Sequence, residues 1–129
     1  MHAHQYNPPL RFPLKGDLSP GGKQALVLEL PQPPNGDVQD QAFFYRLADG
    51  QVVGYFNRCT HVAVPMDFGD ACFLAPDGSI MCRLHGARYD PASGLALSGP
   101  ARNHLVRVNC EIRKNELLVY GWEQVRVPT

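Results

Sequence analysis

Twelve glycines and twelve prolines are spread through a chain of 129 residues, which leaves few stretches that a long helix could occupy, since both residue types disrupt helix interiors. The longest run free of both is 101–120, where Val106, Val108, Cys110 and Ile112 alternate with Arg107, Asn109, Glu111 and Arg113. A period of two sends successive side chains to opposite faces, so this run predicts a half-buried strand. Lys114-Asn115-Glu116 then turns the chain into Leu117-Leu118-Val119-Tyr120, whose apolar and aromatic content suits a returning strand. An all-β chain is expected.

Earlier segments repeat the pattern. Residues 25–30 read as a strand, and 43–47 pairs with 52–56 across Ala48-Asp49-Gly50-Gln51, because Asp-Gly favours tight hairpin turns. A second pair, Asp77-Gly78, separates Cys72-Phe73-Leu74 from Ile80-Met81-Cys82 and predicts a hairpin that delivers Cys82 to a strand end. Residues 1–22 and 31–41 are rich in Pro, Gly and polar side chains and read as extended or looped connections. One domain over 1–129 is expected, with its core at about 10–122, because a chain this short does not ordinarily divide in two.

Charge names no partner. Lys plus Arg number 12 and Asp plus Glu number 12, so no net field points to nucleic acid or an anionic membrane. No apolar run approaches the roughly 20 residues that span a bilayer, and the opening residues lack the apolar centre of a signal peptide. A soluble, cytoplasmic monomer follows as the expectation. In that compartment the four cysteines are more apt to bind metal or stay reduced than to form disulfides. Two have a histidine close behind, in Cys59-Thr60-His61 and Cys82-Arg83-Leu84-His85; Cys72 and Cys110 have none and read as reduced, partly buried residues. His2 and His4 lie in a terminus expected to fray, and His104 follows a Gly-Pro turn, so these three read as surface residues.

Each Cys/His pair can present a sulfur and an imidazole from one short loop, and two such loops close one site. Thiolates suit ferric iron and sulfide, and two imidazoles can replace two thiolates on the second iron of a [2Fe–2S] cluster. Two anionic thiolates then balance the 2+ core, so the oxidised site is formally neutral and accepts an electron more readily than an all-thiolate site at 2−. Zinc is the competing occupant, but its pairs are usually C-x-x-C or H-x-x-x-H rather than C-x-H with C-x-x-H-G.

With twenty residues between His61 and Cys82, and Gly86 after His85, the pattern resembles the Rieske family. Tyr89-Asp90, Ser93-Gly94 and Gly99-Pro100-Ala101 look like that family's recurrent turns and the loop covering its cluster. The resemblance implies a fold of stacked small antiparallel sheets with the cluster held by two loops at one end, the ligands being Cys59, His61, Cys82 and His85. It also implies surroundings that include Gly86, Ala87, Tyr89 and Pro100, and an apolar rim of Val62, Leu84 and Pro100. In high-potential relatives a serine and a tyrosine donate hydrogen bonds to cluster sulfurs from the positions that here hold Ala87 and Tyr89.

Quinol-oxidising members carry one more cysteine in each loop, joined as a disulfide. Here Val62-Ala63-Val64 and Arg83-Leu84 stand instead, so the chain looks more like the ferredoxins and oxygenase domains of multicomponent systems. The implied role is a one-electron carrier between a reductase and a terminal oxygenase or other redox protein, not catalytic alone. A catalytic oxygenase would need a mononuclear iron site of two histidines and a carboxylate, and nothing after Tyr120 supplies one. A regulatory subunit resembling the nitrite reductase small subunit is the other alternative; relatives of that kind have lost ligands, and all four are present here.

Overall fold

In the computed structural model, the residues described are 3–16, 18–22, 24–58, 65–67, 72–83, 86–98 and 104–124. They form nine strands: β1 (Ala3–Pro13), β2 (Leu26–Pro31), β3 (Gln39–Arg46), β4 (Val52–Phe56), β5 (Ile80–Met81), β6 (Arg88–Tyr89), β7 (Ala96–Ser98), β8 (Val106–Arg113) and β9 (Glu116–Gln124). The all-β expectation stands. Six strands make one antiparallel sheet in the order β1-β9-β8-β4-β3-β2, and β5-β6-β7 make a small second sheet. Among the described residues no helix is long and apolar enough to cross a membrane.

The middle of the chain is buried on both faces. Ala42-Phe43-Phe44-Tyr45 of β3 is an unbroken apolar run, and all four residues are buried. Because the pleat alternates, Phe43 and Tyr45 join Val53, Tyr55, Phe73, Ile80, Cys82 and Tyr89 in one core. Ala42 and Phe44 face the other way into a second core with Tyr6, Leu30, Phe56, Val108, Leu117 and Trp122. The large sheet curls around this second core. Its far edges meet where the Tyr6 hydroxyl donates to the Pro31 carbonyl at 2.6 Å and Trp122 Nε1–H donates to the Gln32 carbonyl at 2.9 Å.

Both Asp-Gly hairpins form. Gly50 and Gly78 take φ of +93° and +88°, and Asp77 accepts hydrogen bonds from the Ser79 amide and hydroxyl at 3.0 and 2.6 Å. Those bonds, ahead of the Arg88 guanidinium 2.9 Å away, hold the Asp77 carboxyl below the usual carboxylate range. The C-terminal hairpin turns through Lys114 at φ +58°, and its second strand is longer than 117–120 because β9 also pairs with β1.

The N-terminal reading needs correction. Residues 3–13 are a paired edge strand, not a connection, and the ordered sheet begins well before residue 10. Pro8 and Pro9 lie where the register shifts between Gln5 and Leu10, at a bulge on an edge, where prolines are tolerated. His4 does not fray: its ring lies 6.1 Å from that of Trp122, stacked, and 5.0 Å from that of Tyr6. His2 lies outside the described residues. Within the second Pro-rich stretch, 39–41 already belongs to β3.

Close approach of β1 to β9 depends on Gly121, where an added Cβ would stand 2.1 Å from the His4 carbonyl oxygen and 3.0 Å from Gln5 Cα. Both obstacles are backbone, so neither can rotate aside. Gly121→Ala should lower unfolding stability by about 1–3 kcal/mol, the usual cost of overpacking, and speed amide exchange in β1 before the rest of the sheet. Urea unfolding with hydrogen exchange checks this; wild-type stability in the variant would show that β1 is not held this closely.

Candidate metal centre

Of the four predicted ligands, Cys82 is described, and Cys59, His61 and His85 lie outside the described residues. So do Val62, Ala63, Val64, Leu84, Gly99, Pro100 and Ala101. Among the described residues no three His, Cys, Asp or Glu side chains converge on a point. What the structure does show is the scaffold from which these loops leave.

Cys82 directly follows β5 and is fully buried. Its amide donates to the Ala87 carbonyl and its carbonyl accepts from the Gly86 amide, both at 2.8 Å. Gly86 and Ala87 are therefore held against Cys82 by two backbone hydrogen bonds. Gly86 sits at φ +78°, the left-handed region in which a side chain is strained, and this explains a glycine directly after His85. The small sheet continues the closure, with Met81 opposite Arg88 and Ile80 opposite Tyr89.

The hairpin bearing Cys82 is docked rather than loosely hung. Phe73 stacks on Phe43 with centroids 4.0 Å apart and planes 11° from parallel, and its amide donates to the Tyr45 hydroxyl at 3.1 Å. Ala87 and Tyr89, the two positions singled out beside the predicted ligands, are fully buried and belong to the same core as Cys82.

The first loop leaves from β4 through Asn57 and Arg58. Arg58 forks onto the Asp40 carboxylate at 2.9 and 3.2 Å, and that hydrogen-bonded carboxylate raises the guanidinium pKa. The chain is thereby fixed to the start of β3 one residue before Cys59. Asn57 is buried, its amide donating to the Gln41 carbonyl at 2.9 Å and its carboxamide bonding Gln41, Met66 and Asp67. Past the loop, the Met66 carbonyl accepts from the Arg83 amide at 2.9 Å, joining the first loop to the second.

His104 ties its own segment to β7 and the turn before it. The ring Nδ1 accepts from the Ala96 amide at 2.7 Å, and next to it the Leu105 amide donates to the Gly94 carbonyl at 3.0 Å. This corrects the reading of His104 as a surface residue: it is half-buried, and its Nε2 is buried with no hydrogen-bond partner among the described residues. The turn below is set by Asp90, whose carboxylate accepts from the Ser93 amide and hydroxyl at 2.9 and 2.7 Å, so Asp90 and Ser93-Gly94 do form the turn expected of them. Sequence reasoning found neither Asn57 nor His104.

The other cysteines behave differently from Cys82. Burial pushes the Cys110 thiol up to about 12, so it stays protonated at neutral pH. Cys72 is exposed rather than partly buried, because it precedes the point at which Phe73 enters the core.

The sequence profile of the Rieske [2Fe–2S] domain matches residues 24–114. The chain belongs to the Rieske [2Fe–2S] domain family. The match runs from just before β2 through the loops to the C-terminal hairpin, and the Rieske cofactor is a [2Fe–2S] cluster of mixed thiolate and imidazole ligation. What is described of the site suits that group: a fully buried thiol on a backbone held by two hydrogen bonds, in a sequence that carries His85 three residues later and a second Cys/His pair at 59 and 61.

Among solved structures, the chain is similar to the ferredoxin of carbazole 1,9a-dioxygenase from Nocardioides aromaticivorans IC177, at 26% identity and a TM-score of 0.62 over 86% of this chain and 95% of that one. It is similar in fold to the complex of reduced oxygenase and oxidised ferredoxin in carbazole 1,9a-dioxygenase, at 22% identity and 0.64 over 92% and 97%. The plasma-membrane Rieske protein of the cyanobacterium Synechocystis PCC 6803 shares the fold at 23% identity and 0.52, over 72% and 84%. A search of the curated proteins finds no match.

Proposed function

We propose that this chain is a Rieske ferredoxin, a one-electron carrier whose [2Fe–2S] cluster is held by Cys59, His61, Cys82 and His85 and which links a reductase to a terminal oxygenase or similar redox enzyme. The observation that carries the reading is the fully buried Cys82, whose backbone bonds to Gly86 and Ala87 draw the two ends of the C-x-x-H-G segment together. Likeness to nearly the whole length of a dioxygenase ferredoxin supports the carrier role, and a neighbour that is itself a ferredoxin complexed with its oxygenase supports the class of partner.

When bound, the cluster supplies one-electron redox chemistry. The chain's own residues hold the ligands still, exclude water and tune the potential. Phe43, Phe73, Ile80 and Tyr89 form a packed apolar floor next to Cys82, and a dry, rigid surround keeps the rearrangement that accompanies electron transfer small. Extra hydrogen bonds to cluster sulfurs stabilise the reduced state and raise the potential. Ala87 cannot donate one from its side chain; Tyr89 carries the hydroxyl that can.

A potential in the lower half of the family span of about −150 to +300 mV is expected. Tyr89→Phe should lower it and Ala87→Ser raise it, each by up to about 65–130 mV, the one-electron equivalent of about 1.5–3 kcal/mol for a hydrogen bond to a charged group. Protein-film voltammetry reads both; an unchanged potential in Tyr89→Phe with the cluster intact would remove Tyr89 from this role. The carrier function is tested by mixing the red-brown protein with a flavin reductase, NADH and an aromatic-ring oxygenase. We expect reduction by the reductase, reoxidation by the oxygenase, and no turnover of organic substrate by the isolated chain with dithionite. Substrate oxidation by the chain alone would contradict the proposal.

A further inference from the structure

Asn57 is buried, 1% exposed, two residues before Cys59. Its carboxamide is used on both sides. A backbone amide can only donate, so the Met66 N–H 2.8 Å away fixes Oδ1 as the atom facing it. Nδ2 then points to two acceptors, Asp67 Oδ1 at 3.0 Å and Gln41 Oε1 at 3.2 Å. One side chain thus joins the end of β4, the start of β3 and the segment 66–67 where the first loop returns.

The connection continues across the site. Met66 receives the Asn57 bond on its amide and, through its carbonyl, accepts the Arg83 amide at 2.9 Å. Arg83 directly follows Cys82. The N–H that donates to Asn57 and the C=O that accepts from Arg83 stand on either side of the Met66 Cα, so the path Asn57, Met66, Arg83 is a short backbone tie between the bases of the two loops. The side chain of Met66 is fully buried in the core that contains Cys82, which leaves the segment little freedom to shift without these bonds.

We propose that Asn57 is the positioning residue that sets the spacing of the two ligand loops, and so the lifetime and symmetry of the site they form; this rests on the assignment of Cys59, His61, Cys82 and His85 as ligands. A general structural role would lower stability everywhere. A positioning role acts on the Met66 and Arg83 amides and on the cluster, and it is restored by any pair of side chains that rebuilds the same donors and acceptors.

Asn57→Asp keeps an acceptor for Met66 but removes both Nδ2 donors and sets a carboxylate against Asp67. Adding Asp67→Asn returns a donor across the same gap. In the single variant, exchange of the Met66 and Arg83 amides should quicken about tenfold or more relative to those of β8 and β9, as expected for loss of a buried hydrogen-bond set. The half-life of the cluster in air should fall by a similar factor, and the spread of the EPR g values of the reduced protein should change. The double variant should recover all three. Tyr6→Phe, which removes a hydrogen bond from the opposite core, should leave them unmoved.

Should Asn57→Asp fail to fold, Asp67→Ala changes a partly exposed partner and should quicken Met66 exchange about threefold, a single bond's worth. Wild-type exchange and cluster lifetime in either single variant, or a double variant no better than Asn57→Asp, would overturn the proposal. If the unmutated protein assembles no cluster, the ligand assignment fails instead, and Met66 and Arg83 exchange in the same variants still decides whether Asn57 ties the loops.

Discussion

Burial of β3 and β4 on both faces is the constraint on which the rest of this structure depends. Phe43 and Tyr45 look one way and Ala42 and Phe44 the other, so the two strands are the shared wall of two cores. One core lies inside the curl of the large sheet. The other exists because Phe73 lies flat on Phe43 and brings the hairpin 73–82 with it. That stack, with Ile80 and Tyr89 in the same core, seats the small sheet against β3 and β4 and holds Cys82 there.

From that wall the scaffold of the site is tied together by backbone hydrogen bonds and by the polar side chains of Asn57, Arg58 and His104. Gly86 and Ala87 are held against Cys82, Asn57 and Arg58 fix the chain at the end of β4, the segment 66–67 links the two, and His104 ties its own segment to β7. Asn57, Arg58, Gly86 and Ala87 lie within two residues of a proposed ligand in sequence. This arrangement suits the proposed electron carrier: the described residues that flank the proposed ligands belong to hydrogen-bonded backbone.

Much of this was legible in the sequence where local chemistry is decisive. Asp49-Gly50 and Asp77-Gly78 mark their hairpins because few other pairs take the required backbone angles, and the alternation at 106–112 reads as a strand because one face of β8 is half-exposed. The metal pattern is legible for a similar reason, since C-x-H and C-x-x-H-G are rare together by chance and Gly86 proves to be needed for its own φ. The family match bears out the Rieske resemblance and the cofactor. Other features depend on what lies across space. β1 was hidden by Pro8 and Pro9, which a central strand would exclude and an edge accepts. Asn57 reads as an ordinary polar residue at a strand end until Gln41, Met66 and Asp67 are seen around it, and His104 reads as surface until its ring is found accepting the Ala96 amide.

The central claim is that one [2Fe–2S] cluster is held by two cysteines and two histidines of this chain, and nitrogen coupling to the reduced cluster addresses it most directly. Pulsed EPR of the dithionite-reduced protein, grown with and without ¹⁵N-histidine, should show two strongly coupled imidazole nitrogens that change with the label and are lost in His61→Ala and His85→Ala. A reduced cluster with no strongly coupled nitrogen, or a colourless protein carrying stoichiometric zinc, would contradict the account.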